Sequence, residues 1–143
     1  MLPKSCTVLH VEDNSDDLSF TARAFARLGT KVGLHVALDG EAAIHGLSET
    51  KKNQVHFPIP DFILLDLKMP KVDGFEVLIW LKAQEHLKMI PVFILTDSTF
   101  PHDEQKARDL GAAQFFQKPT HPLGLDAILS EAMAKTTESG SKL

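Results

Sequence analysis

The stretch Phe62-Ile63-Leu64-Leu65-Asp66-Leu67-Lys68-Met69-Pro70 limits what this chain can fold into more than any other. Four apolar residues run into a single acid, and a turn that begins at Met69-Pro70 closes at Asp73-Gly74. A short, continuous apolar run bounded by turn signals suits a strand buried on both faces of a parallel sheet. Such a strand presents the residue after it at the carboxyl edge, where open α/β sheets gather ligands and chemistry. Asp66 is therefore the residue to build outward from.

The flanking sequence repeats the pattern. Cys6 to Val11 reads as a first strand ending in Glu12-Asp13. Asn14 or Ser15 caps a helix whose first turn holds Asp16 and Asp17, where the helix dipole favours anions. Leu18, Ala22, Phe25 and Leu28 give it an apolar stripe, and Gly29 stops it. Val32 to Leu38 is a second strand, and Asp39-Gly40 opens a helix to about Glu49 that buries Ala43, Ile44 and Leu47. Thr50 to Pro60 is a polar loop, longer than such connections usually are. After the third strand, Asp73-Gly74 starts a helix to about Glu85 with Phe75, Leu78, Ile79 and Leu81 apolar. Val92 to Leu95 is a fourth strand ending at Thr96-Asp97-Ser98, and a short polar helix spans about His102 to Leu110. Ala113 to Gln117 is a fifth strand closed by Lys118-Pro119. A last helix runs from about Leu123 to Lys135 on Leu125, Ile128, Leu129 and Ala132, leaving Thr136 to Leu143 as a frayed tail. Strands alternating with helices predict an α/β fold, a parallel sheet covered on both faces by helices. One domain over residues 1–135 accounts for the chain, with no appended output module expected.

Bulk properties narrow the function. A net charge of −4 leaves no basic footprint for nucleic acid. No apolar run approaches the ~20 residues that span a bilayer. Cys6 is the single cysteine, so no internal disulfide forms and a cytoplasmic location fits. The seven histidines make no metal-ligand pattern, and His10 and His35, within strands, read as partly buried structural residues. Trp80 reads as packing on the third helix.

The strand ends carry the chemistry. The first delivers Glu12 and Asp13, the third Asp66, the fourth Thr96 and the fifth Lys118. With strand one central and three and four beside it, all five meet in one pocket. Carboxylates crowded together repel: two unit charges ~4 Å apart cost roughly 4 kcal/mol at an effective dielectric of 20. Lys118 supplies one compensating charge, and a divalent cation is the natural source of more. Mg2+ takes oxygen ligands and keeps several waters, so it suits one or two carboxylates plus a phosphate oxygen. A carboxylate can attack a phosphoryl group and become an acyl phosphate. Cation and Lys118 can balance the charge on the transferring group, and the Thr96 hydroxyl can donate to it. Asp66 is then the phosphoacceptor, with Glu12 and Asp13 holding the metal.

Taken together, Glu12-Asp13, Asp66 with Met69-Pro70 and Asp73-Gly74, Thr96, and Lys118-Pro119 resemble the receiver domain of bacterial response regulators. The resemblance spans about Thr7 to Lys135 and includes Gly111-Ala112 with Phe115. It implies a flavodoxin-like doubly wound sheet in the order 2-1-3-4-5 with five helices. It implies metal ligation by Glu12, Asp13, Asp66 and the Lys68 backbone carbonyl. It implies phosphotransfer from a sensor histidine kinase or histidine phosphotransfer protein, catalysed by the receiver itself, and slow self-dephosphorylation rather than a classical enzyme activity. Thr96 and Phe115 become the switch, the face of helix four, strand five and helix five meets an effector protein, and a homodimer through that face is allowed. The family pattern also makes the Lys118-Pro119 bond cis. The long loop before strand three, Glu12-Asp13-Asn14, and Leu87-Lys88-Met89-Ile90-Pro91-Val92 look like the single-domain receivers that partner bacterial phytochrome kinases.

Two positions depart from the family pattern. Phe115 stands where many members have Tyr, so any switch works by packing alone. Asp97 stands where a small residue is usual and would narrow the phosphoryl entrance, slowing small donors; Lys68 and Ser98 flank the pocket. A degenerate receiver that only binds partners is the alternative reading. An aspartate-nucleophile phosphohydrolase is a more distant one, because it needs a second acid two residues after the nucleophile, where this chain has Lys68.

Overall fold

The structure, a computed structural model, describes residues 5–50 and 58–139. Its order is β1 (Ser5–Val11), α1 (Ser15–Leu28), β2 (Lys31–Ala37), α2 (Gly40–Glu49), β3 (Phe62–Leu65), α3 (Gly74–Lys82), β4 (Val92–Thr96), α4 (Pro101–Asp109), β5 (Gln114–Gln117) and α5 (Pro122–Ser139). The five strands pair in parallel in the order β2-β1-β3-β4-β5, the flavodoxin-like doubly wound arrangement. The expected loop from Thr50 to Pro60 falls largely on residues 51–57, outside the described residues.

Alternation along each strand splits the core in two. Cys6, Val8, Phe62, Leu64, Phe93 and Leu95 face α1 and α5, joined by Phe25, Leu125, Leu129 and Met133. Leu9, Val11, Ile63, Leu65 and Ile94 face the other way, onto Leu47, Val77, Leu78 and Leu81. β3 is buried along its whole length, as an apolar run between two helical layers must be. Phe62 and Phe93 meet edge to face, ring centroids 5.4 Å apart. Each such side chain contributes roughly 1.5–3 kcal/mol by leaving water.

Two of the stripes and two of the helix ends need correction. In α1 the buried residues are Thr21, Ala24 and Phe25, whereas Ala22 is exposed. In α3, Val77 takes the place expected of Ile79, which is 52% exposed. That helix is apolar nearly all round, so periodicity could not choose its inner face. α3 also ends at Lys82 rather than Glu85, and α5 continues four residues past Lys135. Residues 140–143 of the expected tail lie outside the described residues. Trp80 is partly buried against the core, as expected.

Local chemistry fixes the loops that carry the site. Asn14 caps α1 by accepting the Asp17 backbone N–H at 2.9 Å, and Gly29 ends it at φ 76°. Asp73 and Glu76 close a reciprocal capping box at the start of α3. Gly74 then packs directly on the segment that follows β3, its N–H donating to the Leu67 carbonyl at 3.0 Å. A Cβ at Gly74 would stand 2.2 Å from the Asp66 carbonyl oxygen and 2.7 Å from the Leu67 Cα, both backbone atoms. Gly74→Ala is therefore expected to cost about 2–4 kcal/mol, because backbone must move to admit the methyl. A urea melt checks the loss, and a variant within ~0.5 kcal/mol of the parent would show the turn to be more pliant than its packing implies.

Candidate functional site

The sheet ladder carries each site residue to the carboxyl edge. The Glu12 N–H donates to the Ala37 carbonyl (3.0 Å), the Asp66 N–H to Val11 (3.1 Å) and the Lys118 N–H to Thr96 (2.7 Å). These bonds extend the parallel pairing one residue beyond β1, β3 and β5. The hollow they frame has a volume of about 150 Å³ and is lined by Glu12, Asp13, Asn14, Asp17, Asp66, Lys68, Thr96, Asp97 and Lys118. Of the site residues and flanking residues expected from the sequence, all but Phe115 and Ser98 border it. A larger, mostly apolar cavity of about 240 Å³ adjoins it between α1 and α5 and shares Asp17 and Lys118.

Burial sets the electrostatics. Glu12 and Asp66 are buried, 1% and 5% exposed, while Asp13 stands in the open. One carboxylate oxygen from each of the three can be chosen so that all lie within 4.8 Å of one another. Lys118 Nζ sits among the acids: 2.7 Å from Asp17 Oδ2, 2.9 Å from Glu12 Oε1, 3.5 Å from Asp66 Oδ2 and 4.0 Å from Asp97 Oδ2. Burial works to lower the Lys118 pKa, but its contacts with Asp17 and Glu12 and the charge on Asp66 outweigh it and hold the ammonium above the usual lysine range. Burial pushes the Glu12 carboxyl up to about 7; Lys118 opposes that rise and Asp66 adds to it. The Asn14 N–H donates to Glu12 Oε2 at 3.2 Å. Asp66 Oδ1 is buried and accepts no hydrogen bond, and Glu12 Oε1 has the Lys118 charge nearby without hydrogen-bond geometry. A buried carboxylate oxygen left this way is costly unless a cation or a donor reaches it.

Hard oxygen donors, clustered and under-satisfied, suit a hexacoordinate divalent cation of the Mg2+ or Mn2+ kind. Glu12, Asp13 and Asp66 would hold it, and no sulfur or imidazole ligand competes in the hollow.

Other expected residues fall out differently. Thr96 is fully buried at the end of β4, its hydroxyl oxygen accepting the Ser98 N–H at 3.3 Å. Ser98 does not border the hollow: its hydroxyl donates to Asp103 Oδ2 at 2.5 Å and so ties the loop to α4. Asp97 stands at the rim of the hollow, its side chain 78% exposed and its Oδ2 4.0 Å from Lys118 Nζ. Phe115 is half-buried and pairs in register with Ile94, on the sheet face that also carries Thr96. The Lys118-Pro119 bond, expected cis, is trans, as are the other described bonds. A tertiary amide separates the two isomers by only about 0.5–1 kcal/mol, so the dipeptide itself does not decide. His10 is fully rather than partly buried, with Nδ1 unpartnered; burial, helped by the nearby Lys118 charge, lowers its pKa to about 4, so it stays neutral. His35 is half-buried, as expected.

Sequence reasoning missed Asp17. It was legible only as an anion in a helix's first turn, whereas the fold brings it onto Lys118, 101 residues away. No local pattern could have shown that contact.

Residues 8–130 match the protein family described as the response regulator receiver domain. The polar-differentiation response regulator DivK of Brucella ovis is 32% identical over 118 residues, 79% of this chain and 84% of that protein. A probable methanogenesis regulatory protein, FilR2 of Methanothrix harundinacea, is 38% identical over 112 residues, 78% of this chain and 71% of that one. A probable cyclic di-GMP phosphodiesterase of Vibrio cholerae is 34% identical, but the match covers only 23% of that protein's length. Among solved structures, the Mn(2+)-bound response regulator Rcp1 superposes with a TM-score of 0.81 at 29% identity, covering 90% of this chain and 94% of that one. The phosphorylated cyanobacterial phytochrome response regulator RcpA does so at 0.83 and 28%, covering 96% and 97%.

Proposed function

The chain belongs to the response regulator receiver domain family, and on that premise we propose that it accepts a phosphoryl group on Asp66, with Mg2+ bound, and signals through a changed protein-binding surface. The observation that carries the reading is Asp66 Oδ1: a buried, unpartnered carboxylate oxygen beside two further acids and a lysine. Its surroundings suit a nucleophile better than a structural ion pair.

In this reading Asp66 attacks the phosphorus of a phosphohistidine on a sensor kinase or histidine phosphotransfer protein. An Asp66 oxygen–phosphorus bond forms, the phosphorus–nitrogen bond breaks, and its electron pair returns to the imidazole. Bound Mg2+, held by Glu12, Asp13, Asp66 and the Lys68 carbonyl, would supply charge neutralisation for the phosphoryl oxygens. Lys118 donates to one of those oxygens, and Thr96 turns its hydroxyl toward another. The space Thr96 leaves is filled by Phe115 turning inward, which its half-buried start permits and which needs no hydroxyl. Helix four, strand five and helix five then present an altered face to an effector. The likeness to RcpA favours a phytochrome-type kinase as donor.

Incubating the protein with acetyl phosphate tests this. A mass gain of one phosphoryl group that requires Mg2+ supports it; no gain with Mg2+ in excess, from acetyl phosphate or any sensor kinase of the source organism, leaves the partner-binding reading.

The cation should also compete with a proton. Below pH 7 the metal-free Glu12 carboxyl is increasingly protonated, since its pKa lies near 7 rather than the ordinary 4.5. Mg2+ affinity is therefore expected to fall as pH drops from about 7 toward 4.5, with proton release on binding that vanishes above pH 7. For the metal-free fold the sign reverses. A carboxyl with a raised folded pKa contributes stability below pH 4.5 that is lost as pH rises through 7. Calorimetry in two buffers of different ionisation enthalpy measures the released proton, and a pH-independent Mg2+ affinity over that window would show that no Glu12 proton is displaced by the cation.

A further inference from the structure

We propose that Asp17 is a positioning residue that holds the Lys118 ammonium back from Asp66, and that its charge thereby sets how readily the site takes up a phosphoryl group. The inference rests on the phosphoacceptor reading above and goes beyond it.

The distances carry the argument. Of the acids around Lys118 Nζ, Asp17 is the nearest at 2.7 Å, and Asp66 lies out at 3.5 Å. An ammonium has three N–H bonds. Asp17 accepts the short hydrogen bond at 2.7 Å, Glu12 Oε1 stands 2.9 Å away as an ion-pair partner, and Asp66 accepts only a long hydrogen bond at 3.5 Å, so the reacting carboxylate holds the cation more weakly than Asp17 does. Asp17 does not share the work of the three acids that could hold a metal, since it is outside their cluster. Its backbone is pinned by the Asn14 cap, so the carboxylate is presented to Lys118 from a fixed helix turn. Its hydrogen bond with Lys118 also helps to keep that ammonium charged.

A phosphoryl group on Asp66 brings oxygens that Lys118 must reach, and the ammonium then has to leave or stretch its contact with Asp17. That contact is weakened as Lys118 moves toward the phosphoryl oxygens. By linkage, anything favouring one arrangement of Lys118 over the other changes the affinity of the site for the phosphoryl group. Asp17 is about a third exposed, so the effect is moderated by water but not abolished.

The test uses trifluoroberyllate, a phosphoryl mimic that binds a carboxylate without turnover, at saturating Mg2+. Asp17→Asn keeps the side chain's size and removes its charge; it should bind the mimic roughly threefold to tenfold tighter than wild type. Asp17→Glu, which keeps the charge, should stay within about twofold of wild type. In the metal-free Asp17→Asn protein the Asp66 carboxyl carbon should shift in the NMR spectrum as Lys118 moves toward it. A merely structural role for Asp17 would weaken binding and leave that resonance in place. Unchanged or weaker mimic binding by Asp17→Asn, with wild type binding normally, overturns the inference alone. A wild-type protein that binds no trifluoroberyllate overturns the phosphoacceptor reading and this inference with it.

Discussion

Asp66→Asn is expected to remove all Mg2+-dependent phosphorylation and, at the same time, to make the metal-free protein more stable by about 1–2 kcal/mol. The first effect follows from chemistry: an amide nitrogen or oxygen is no substitute for the carboxylate nucleophile. The second follows from crowding. Glu12 and Asp66 are both buried, and Asp66 Oδ1 finds no donor. The change does not strand Lys118, which keeps closer contacts with Asp17 and Glu12. Removing one partner of a buried pair is harmful chiefly when it leaves an uncompensated charge, and here it does not. The Glu12 pKa should also fall toward its ordinary value, because the Asp66 charge is one of the causes of its rise. Chemical denaturation without added metal measures the stability. A loss of stability in Asp66→Asn would mean that the attraction of Lys118 for Asp66 outweighs the repulsion among the acids.

Lys118→Met should do the reverse. It leaves Glu12 and Asp66 buried with no cation beside them, and breaking a buried pair from that side typically costs about 3–5 kcal/mol. Part of the loss is avoided, because Glu12 can take up a proton and Asp17 is about a third exposed. A loss of about 2–4 kcal/mol is therefore expected in metal-free buffer, and saturating Mg2+ should recover much of it by supplying charge to the same oxygens. Phosphorylation should slow by roughly 10²–10³, the scale on which a preorganised electrostatic partner acts. Thermal melts with and without Mg2+ decide the first point and acetyl phosphate labelling the second. A Lys118→Met protein as stable as wild type without metal would show that the carboxylates are already neutralised by protons rather than by the lysine.

The two substitutions touch atoms 3.5 Å apart yet should move stability in opposite directions. That opposition is what crowding predicts: buried acids tolerate one another poorly unless a positive charge stands beside them.

How much of this was legible beforehand varied with the residue. Asp66, Glu12, Asp13, Thr96 and Lys118 could be placed because each ends or follows a strand, and a parallel sheet aligns strand ends. The cap at Asn14 and the helix starts at Asp39 and Asp73 were legible because a cap bonds to residues only a few positions away. The inner face of α3 was not, because Ile79 and Val77 are equally apolar and the choice is made by what lies opposite. Ser98 was placed in the wrong relation to the hollow, because α4 draws it away through Asp103, whereas Asp97 does stand at the rim.

The sequence by itself determined the alternation of strands and helices, the termini of most elements and the list of groups at the carboxyl edge. These depend on periodicity and on contacts within a turn or two, which the chain order encodes directly. Only the tertiary structure decided which acid Lys118 touches most closely, that His10 is sealed from water, and that Asp66 keeps one oxygen without a partner. Those outcomes depend on fractions of an ångström between segments up to a hundred residues apart. Such distances are fixed by how α1, β3 and β5 pack together, and no stretch of the chain read alone contains them.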